Sequence, residues 1–486
     1  MATLKMIIDL FGASIVVPVV VFFLSLSMGV HRKKAFQGAL YMGVGLTAFN
    51  IIINGLISSL GPVVTEMVIS SGVNLPVIDI GWPAAALICY SNYLGLFYIV
   101  FGLFFDLFLF LIKWTDTFHP TDIWNYYCFV FWAALVHLST GSFWMGIAAA
   151  MLLNLVLLLL SDWIAPAMEC YYGYEGVVST CYPSINGLPF TILIKWILKK
   201  LRLDGIQLDP KRLKAKFGFW GEPVCMGLII GMAVSIIAKW HGLEELGNWA
   251  VIIKTALVTA SVMAIYPAIS GLFVKGLIPI SQTLNDKMRS GSMTRKNMYI
   301  AIDTSVFFGE ESTMATGLVL IPVVLFCAVF IPGNSVLPLA DLPALPFMVV
   351  SIVTVMKGNV FGSFIAGSLW MVLGQFINSD VAYLFTEAAK NANAFPDTAG
   401  NAMITSILVG HNPFGWLVYK AFAAPSGIRI FTIALAVAVY LAVYYFFQKN
   451  RKAWQMAAGA DEEYFAKKEA LWAEAEQKTS VNRIGG

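Results

Sequence analysis

Apolar runs of about twenty residues alternate along the chain with short polar or basic segments. That alternation predicts helices that cross a membrane. Eleven spans follow from it: 7–28, 36–58, 84–112, 142–160, 176–197, 223–240, 249–272, 299–330, 359–378, 403–422 and 428–447. Two more apolar stretches, 126–139 and 344–356, are too short to cross and read as re-entrant segments. The blocks 84–112 and 299–330 exceed the ~20 residues a bilayer requires, so each is expected to be broken or tilted. Membrane β-barrel strands are alternating segments of ~10 residues, unlike these continuous apolar blocks. The class expected is an all-α polytopic membrane protein of about 11 transmembrane helices over residues 1–451. Beyond it the pattern stops. "DEEYFAKKEALWAEAEQK" within 452–486 reads as a solvated, helix-favouring polar tail and not as a second domain.

Composition agrees with the pattern. Of the 486 residues 59% are hydrophobic and 12% charged, about half the charge of a soluble domain. The mean hydropathy is +0.77. Lys and Arg gather between apolar runs, at 31–34, 195–216, 285–296 and 448–452, so the net charge of +3 does not point to nucleic acid. Placing all four clusters inside puts the N-terminus outside and the C-terminus in the cytoplasm, which needs an odd number of crossings. No basic region precedes the run 7–28 and no small-residue cleavage site follows it, so it is expected to stay as a helix. The six cysteines form no CxxC pair and read as buried, inert thiols. Cys170 and Cys181 flank a short loop and would pair only if that loop lies outside.

A weak internal repeat runs through the chain. Gly12 matches Gly221, Pro62 matches Pro279, Asp79 matches Asp303, Gly141 matches Gly358, and Pro189-Phe190 match Pro413-Phe414, in order and at nearly constant spacing. Basic and non-basic loops exchange places between the halves: "HRKK" corresponds to "KWHGLEELGN", and the uncharged-to-acidic 59–75 to the basic 276–296. Such an exchange is expected of an inverted-topology repeat with five crossings in each half, here about 7–198 and 219–422, followed by a final helix 428–447. Alternating access around a central site follows from that arrangement.

A charge within the bilayer costs at least ~2.5–3.5 kcal/mol and therefore needs a partner or a task. Asp79 and Trp82 lie in "DIGWPAAA", His137 in "ALVHLSTGS", Glu222 before Pro223, Asp303 and Glu310-Glu311 in "AIDTSVFFGEES", and His411-Asn412 before Pro413. Each sits beside Gly or Pro, where the backbone can unwind and line a cavity. Carboxylates and amides bind vicinal hydroxyls, and Trp82, Tyr90, Phe219 and Trp220 supply aromatic faces for the C–H side of a sugar or polyol. Structural roles compete at every position. Asp79 and Asp303 read equally as helix caps, Glu222 as a dipole-favoured residue at the interface, His137 as a buried neutral imidazole, and Asp122 as a cap. Glu310 and Glu311 are adjacent, so on a regular helix only one faces a cavity. No metal-ligand spacing, cofactor loop, nucleophile elbow or catalytic dyad stands out, so neither cofactor nor metal is expected.

"DIGWPAAA", "DIWN", "ALVHLSTGS", "YEG", "KFGFWGEPV", "PGNSVLPLADL" and "KGN", in that order, resemble the galactitol-type enzyme IIC family. These are the membrane permeases of the bacterial phosphoenolpyruvate-dependent sugar phosphotransferase system, in the ascorbate–galactitol superfamily. The likeness runs from about residue 5 to 447. It implies a homodimer in the inner membrane, with scaffold and core domains, re-entrant hairpins and an elevator-like motion. It also implies a sugar or polyol substrate, phosphorylated on the cytoplasmic side by a separate phosphocysteine-bearing enzyme IIB that enzyme IIA charges. The family pattern carries Gly-His where this chain has Gly309-Glu310, and Pro-His-Gly where it has Thr180-Cys181-Tyr182, which leaves the choice of sugar open. The competing reading is an ion-coupled secondary transporter in which Asp79, Glu222 or Asp303 carries the proton. An intramembrane enzyme has no catalytic constellation to support it.

Overall fold

Residues 29–484 are described by the computed structural model, apart from 71–74, 92, 209, 211–217, 290–296 and 393–402, with scattered positions between 15 and 27. Most of the expected span 7–28, part of the basic segment 195–216 and most of 285–296 therefore lie outside the described residues, as does the side chain of Trp220. In chain order the first half holds α1 (Arg32–Ser70), β1 (Val77–Asp79), α2 (Trp82–Ser91), α3 (Tyr93–Leu111), β2 (Thr117–Phe118), α4 (Tyr127–Thr140), α5 (Phe143–Tyr172), β3 (Val177–Ser179) and α6 (Leu188–Lys200). The second half holds α7 (Pro223–Ala238), α8 (Leu246–Arg289), β4 (Tyr299–Ile302), α9 (Glu311–Phe330), β5 (Val336–Leu337), α10 (Val360–Asn391), β6 (Met403–Thr405), α11 (Pro413–Phe422) and α12 (Ser426–Lys449). The tail forms α13 (Arg451–Ala457) and α14 (Glu462–Ile484).

Among the described residues six helices are long and apolar enough to cross a membrane: α3, α5, the first part of α8, α9, α10 and α12. At 1.5 Å per residue α3 spans about 28 Å, close to the ~30 Å hydrocarbon core. The 30 residues of α5 reach about 45 Å, so this helix tilts or emerges from the membrane. Helices α1, α7 and α8 pack together as one bundle. The strand-bearing bundle is built around fully buried aromatics including Trp132, Phe131, Tyr98, Tyr182 and Phe307.

Three expected spans take another course. The segments 176–197, 299–330 and 403–422 each begin as a short strand, pass through one helical turn (Tyr182–Ile185, Ser305–Phe308, Ile407–Gly410), and only then enter a longer helix. Thr180–Pro183, Asp303-Thr304 and His411–Pro413 are responsible, because such residues bond locally to backbone or lack an N–H and so interrupt a helix. The block 84–112 is divided between α2 and α3, and the stretch 344–356 forms two short helices, Leu345–Met348 and Val350–Val355. The short stretch 126–139 is α4.

The strands make two small parallel sheets. In one, β1 lies between β5 and β6, with Val77 opposite both Val336 and Met403 and Asp79 opposite Thr405. In the other, β4 lies between β2 and β3, with Tyr299 opposite Thr117 and Ile302 opposite Ser179. Each sheet thus takes its middle strand from one half of the chain and both flanking strands from the other. Flanking strands satisfy backbone groups that water cannot reach at this depth.

The cysteines are all free thiols. Cys181 is buried with its Sγ 3.7 Å from Cys128 Sγ, so it does not pair with Cys170. Gly81 turns the chain from β1 into α2 at φ +89°, where an added Cβ would lie 3.2 Å from Ala340 Cβ and 3.4 Å from Asp341 Oδ1. Gly81→Ala is expected to destabilise the protein by about 1–2 kcal/mol, read as a lower thermal unfolding midpoint in detergent.

Candidate functional site

Asp79 closes β1 and is fully buried. Its Oδ1 accepts from the N–H groups of Gly81 (3.1 Å) and Ile407 (3.2 Å), and its Oδ2 from those of Leu339 (3.1 Å) and Asp341 (2.9 Å). Asp341, also buried, accepts from Trp82 N (2.9 Å) at Oδ1 and from Ser406 Oγ (2.6 Å) and Leu408 N (3.1 Å) at Oδ2. The two carboxylates tie β1, the segment after β5 and the turn after β6 into one knot.

A second carboxylate pair stands at the other sheet. Asp303, just past β4, accepts from Ser305 N at 2.7 Å and from Asn125 Nδ2 at 3.0 Å. The same Asn125 amide donates to Asp122 Oδ1 at 2.8 Å, and Thr180 Oγ1 donates to Asp122 Oδ2 at 2.5 Å. Asp79 and Asp303 therefore do not meet. Each is paired with an aspartate from the opposite half of the chain. Between the sheets runs an aromatic bridge, with the Trp82 ring 5.9 Å from that of Tyr127 and Tyr90 6.4 Å from the same ring.

The remaining candidates are spread over four further places. His137 Nε2 lies 2.9 Å from Tyr93 Oη, and its buried Nδ1 finds no hydrogen-bond partner. These two residues, with Gly141 and Asn391, line a cavity of about 360 Å³. Glu310 caps α9, accepting from Ser312 N (3.1 Å), Thr313 N (2.9 Å), Thr313 Oγ1 (2.8 Å) and Tyr171 Oη (2.8 Å), while Glu311 begins the helix. His411 is buried, stacked 4.5 Å from the Trp370 ring and pressed against Gly374. Asn412 caps α11 through Gly415 N at 2.9 Å, and its Nδ2, like His411 Nε2, has no hydrogen-bond partner. Glu222 stands at the N-cap of α7, in the other bundle.

Asp341, Asn125 and Ser406 escape a reading of the sequence, Thr180 enters it only as a departure from the family pattern, and Asp122 passes there for a cap. A signal exists: Asp341 follows Asp122 at about the spacing by which Asp303 follows Asp79. Among the described residues no group of three or more His, Cys, Asp or Glu side chains is placed to hold a metal ion. What the site offers is carboxylate, amide and hydroxyl groups beside aromatic faces. That is equipment for binding polyhydroxy compounds.

The family model for the sugar-specific permease component of the phosphotransferase system, EIIC-GAT, matches residues 6–399. The chain belongs to this family. The permease is 28% identical over 435 residues to the "PTS system galactitol-specific EIIC component" of Escherichia coli (strain K12), covering 89% of this chain and 93% of the relative. The component of the same name from Escherichia coli O157:H7 matches to the same extent. A "Putative permease IIC component" of Escherichia coli (strain K12) is 28% identical over 440 residues, 90% of this chain and 97% of the relative. The resemblance drawn from the short motifs is borne out. The protein is a multi-pass membrane permease for a phosphotransferase-system sugar or polyol, and the ion-coupled alternative is not favoured.

In the permease, Asp79 has both oxygens occupied by backbone N–H groups. Asp79→Asn replaces one acceptor oxygen with an amide NH2 donor facing those N–H groups and is expected to cost about 1–3 kcal/mol of stability. Thermal unfolding in detergent reads this loss. A variant with unchanged stability would mean that the four hydrogen bonds hold nothing together.

Proposed function

We propose that the permease carries galactitol or a closely similar polyol across the bacterial inner membrane and presents it for phosphorylation by a separate phosphocysteine-bearing enzyme IIB, charged in turn by enzyme IIA. The observation that carries this reading is the likeness, over nearly nine-tenths of the chain, to a relative named galactitol-specific. The candidates Asp79, Trp82, His137, Glu222, Asp303, Glu310, Glu311, His411 and Asn412 stand at several places in the fold, and Asp122 and Asn125 join Asp303 at one of them. Asp79 and Glu310, whose oxygens are occupied, hold the backbone; Asp122, Asn125 and Asp303 meet hydroxyls, and the Trp82 ring faces the C–H side. Glu310 stands where the family pattern carries His and shapes the site through Tyr171 and the start of α9, and this departure from the pattern extends the reading to polyols other than galactitol.

The two halves form an inverted repeat, which the exchange of strands between the sheets supports. In this reading α1, α7 and α8 are the scaffold of a homodimer. The strand-bearing bundle is the core that moves past it. The N-terminus lies outside and the C-terminus in the cytoplasm. Phosphorylation adds a charge of about −1.5 to −2 to the sugar. Carboxylates suited to a neutral polyol then repel the product and favour its release.

Two measurements test this. In proteoliposomes the purified chain alone should equilibrate galactitol slowly and indifferently to a pH gradient. Adding enzymes IIA and IIB, the general phosphotransfer proteins and phosphoenolpyruvate should yield phosphorylated polyol. Accumulation of unmodified polyol driven by protons would refute the coupling. For the repeat, Leu75→Cys should be labelled by an impermeant maleimide from outside and Asn297→Cys from inside; labelling of both from one side would end the inverted-repeat reading.

A further inference from the structure

The polar tail is docked along its first half. Trp163 Nε1 donates to the Trp454 carbonyl at 2.6 Å with the two rings 4.5 Å apart, and Gln455 Nε2 donates to the Asp162 carbonyl at 2.8 Å. Arg451 Nη2 lies 2.5 Å from Asp116 Oδ2, beside β2. Ala458 and Ala460 are buried, and Gly459 turns the chain at φ +120° against the Thr354 carbonyl.

Past this glycine the anchoring changes character. Asp461 pairs with Lys357, in the left-handed turn that precedes α10. Tyr464 and Tyr299, on β4, share a hydrogen bond of 2.8 Å between their hydroxyls, and Tyr464 Oη lies 3.3 Å from Glu169 Oε2. Lys468 and Lys467 stand 3.5 Å from Glu169 and 3.6 Å from Glu175. α14 also lies beside α8, in the other bundle. The Asp461–Lys357 and Lys467–Glu175 pairs are exposed and contribute little each, so the segment after Gly459 leans on Tyr464 and on the pair of Lys468 with the buried Glu169 and is held less firmly than the segment before it.

These contacts surround one corner of the molecule. There Tyr171 donates to Glu310, and an added Cβ on Gly358 would meet the Tyr171 hydroxyl. A matching corner, formed by Tyr93, His137 and Gly141, is the cavity of about 360 Å³. Helices α5 and α10 run between the two corners. The start of α5 is beside Gly141 and its end carries Tyr171; the start of α10 is beside Gly358 and its end carries Asn391, which lines the cavity. The first corner is bordered by the tail through Lys357 and Cys170.

We propose that residues 451–468 are a strap, hinged at Gly459, that closes the Glu310 corner on the C-terminal side of the membrane. Its release exposes that face. α14, which continues from the strap, lies beside α8, so the tail as a whole links the strand-bearing bundle to the other bundle until it lets go. The functional half of this inference rests on the transport reading above; the structural half does not.

Cys170 is a natural reporter, a partly exposed thiol that accepts a hydrogen bond from the Asp461 backbone. Labelling of its peptide by a maleimide, followed by mass spectrometry, should run about tenfold faster in Asp461→Ala/Tyr464→Phe than in the unaltered protein, as expected when the two hydrogen bonds of Tyr464 and one ion pair are lost. Equal rates in two equally folded proteins, judged by size-exclusion chromatography, would overturn the strap. In a second arm, Lys357→Cys and Asp461→Cys are oxidised to a disulfide. Phosphoenolpyruvate-dependent galactitol uptake should fall at least about tenfold and return on reduction, whereas full uptake by cross-linked protein would overturn its gating role. If galactitol is the wrong polyol, uptake is absent in the unaltered protein too, while the labelling difference remains.

Discussion

Backbone that is neither helical nor wet has to find its hydrogen bonds within the protein, and the carboxylate knot of Asp79 and Asp341 answers that requirement. Between them these side chains accept from the N–H groups of Gly81, Trp82, Leu339, Asp341, Ile407 and Leu408 and from the hydroxyl of Ser406. Three strands of two to three residues each could not hold one another by their ladders alone. The cost of burying two carboxylates is offset because every donor they meet would otherwise lie unsatisfied away from water. The positions of α2, of the turn after β6 and of the chain after β5 all depend on this arrangement.

The second sheet repeats the plan with different chemistry. Asn125 reaches both Asp122 and Asp303, so one amide mediates between two carboxylates that in the first sheet are bridged by backbone. Fewer N–H groups converge on Asp122 than on Asp79, and its surroundings are side chains: Asn125 and Thr180. Side chains rearrange more easily than backbone. The Asp122–Asp303 pair is accordingly the less rigidly held of the two.

How far the sequence reveals this structure depends on the length of each signal. Long apolar helices such as α5, α10 and α12 are evident, because twenty consecutive apolar residues have few other uses. A strand of three residues embedded in an apolar run, as at Val77–Asp79 or Met403–Thr405, cannot be separated from helix by periodicity. Asp79 and Asp303 attract attention as charges at depth, but their partners Asp341 and Asp122 do not, since the pairing is made by strands more than a hundred residues distant. His411 looks like a ligand in sequence and is found stacked on Trp370 in the interior. The tail errs in the opposite direction. Its charges read as a solvated surface, yet Asp461, Lys467 and Lys468 each meet an opposite charge on the membrane domain.

The interleaving of the two sheets bears on how such a chain can be made. Synthesis proceeds from the N-terminus, so β1 leaves the ribosome more than 250 residues before Val336, the start of its first neighbour, and later still before Met403. Until then Asp79 has none of its acceptor contacts to Leu339, Asp341 or Ile407. Closing so long a loop costs little more entropy than closing a short one, because the cost grows only logarithmically. The delay is therefore one of time and not of energy. The first half must wait beside the insertion machinery with a carboxylate and an unpaired strand exposed, and neither half is a folding unit. Any device that shelters that waiting strand during biogenesis, whether lipid headgroups or an insertase, becomes part of this protein's route to its native state.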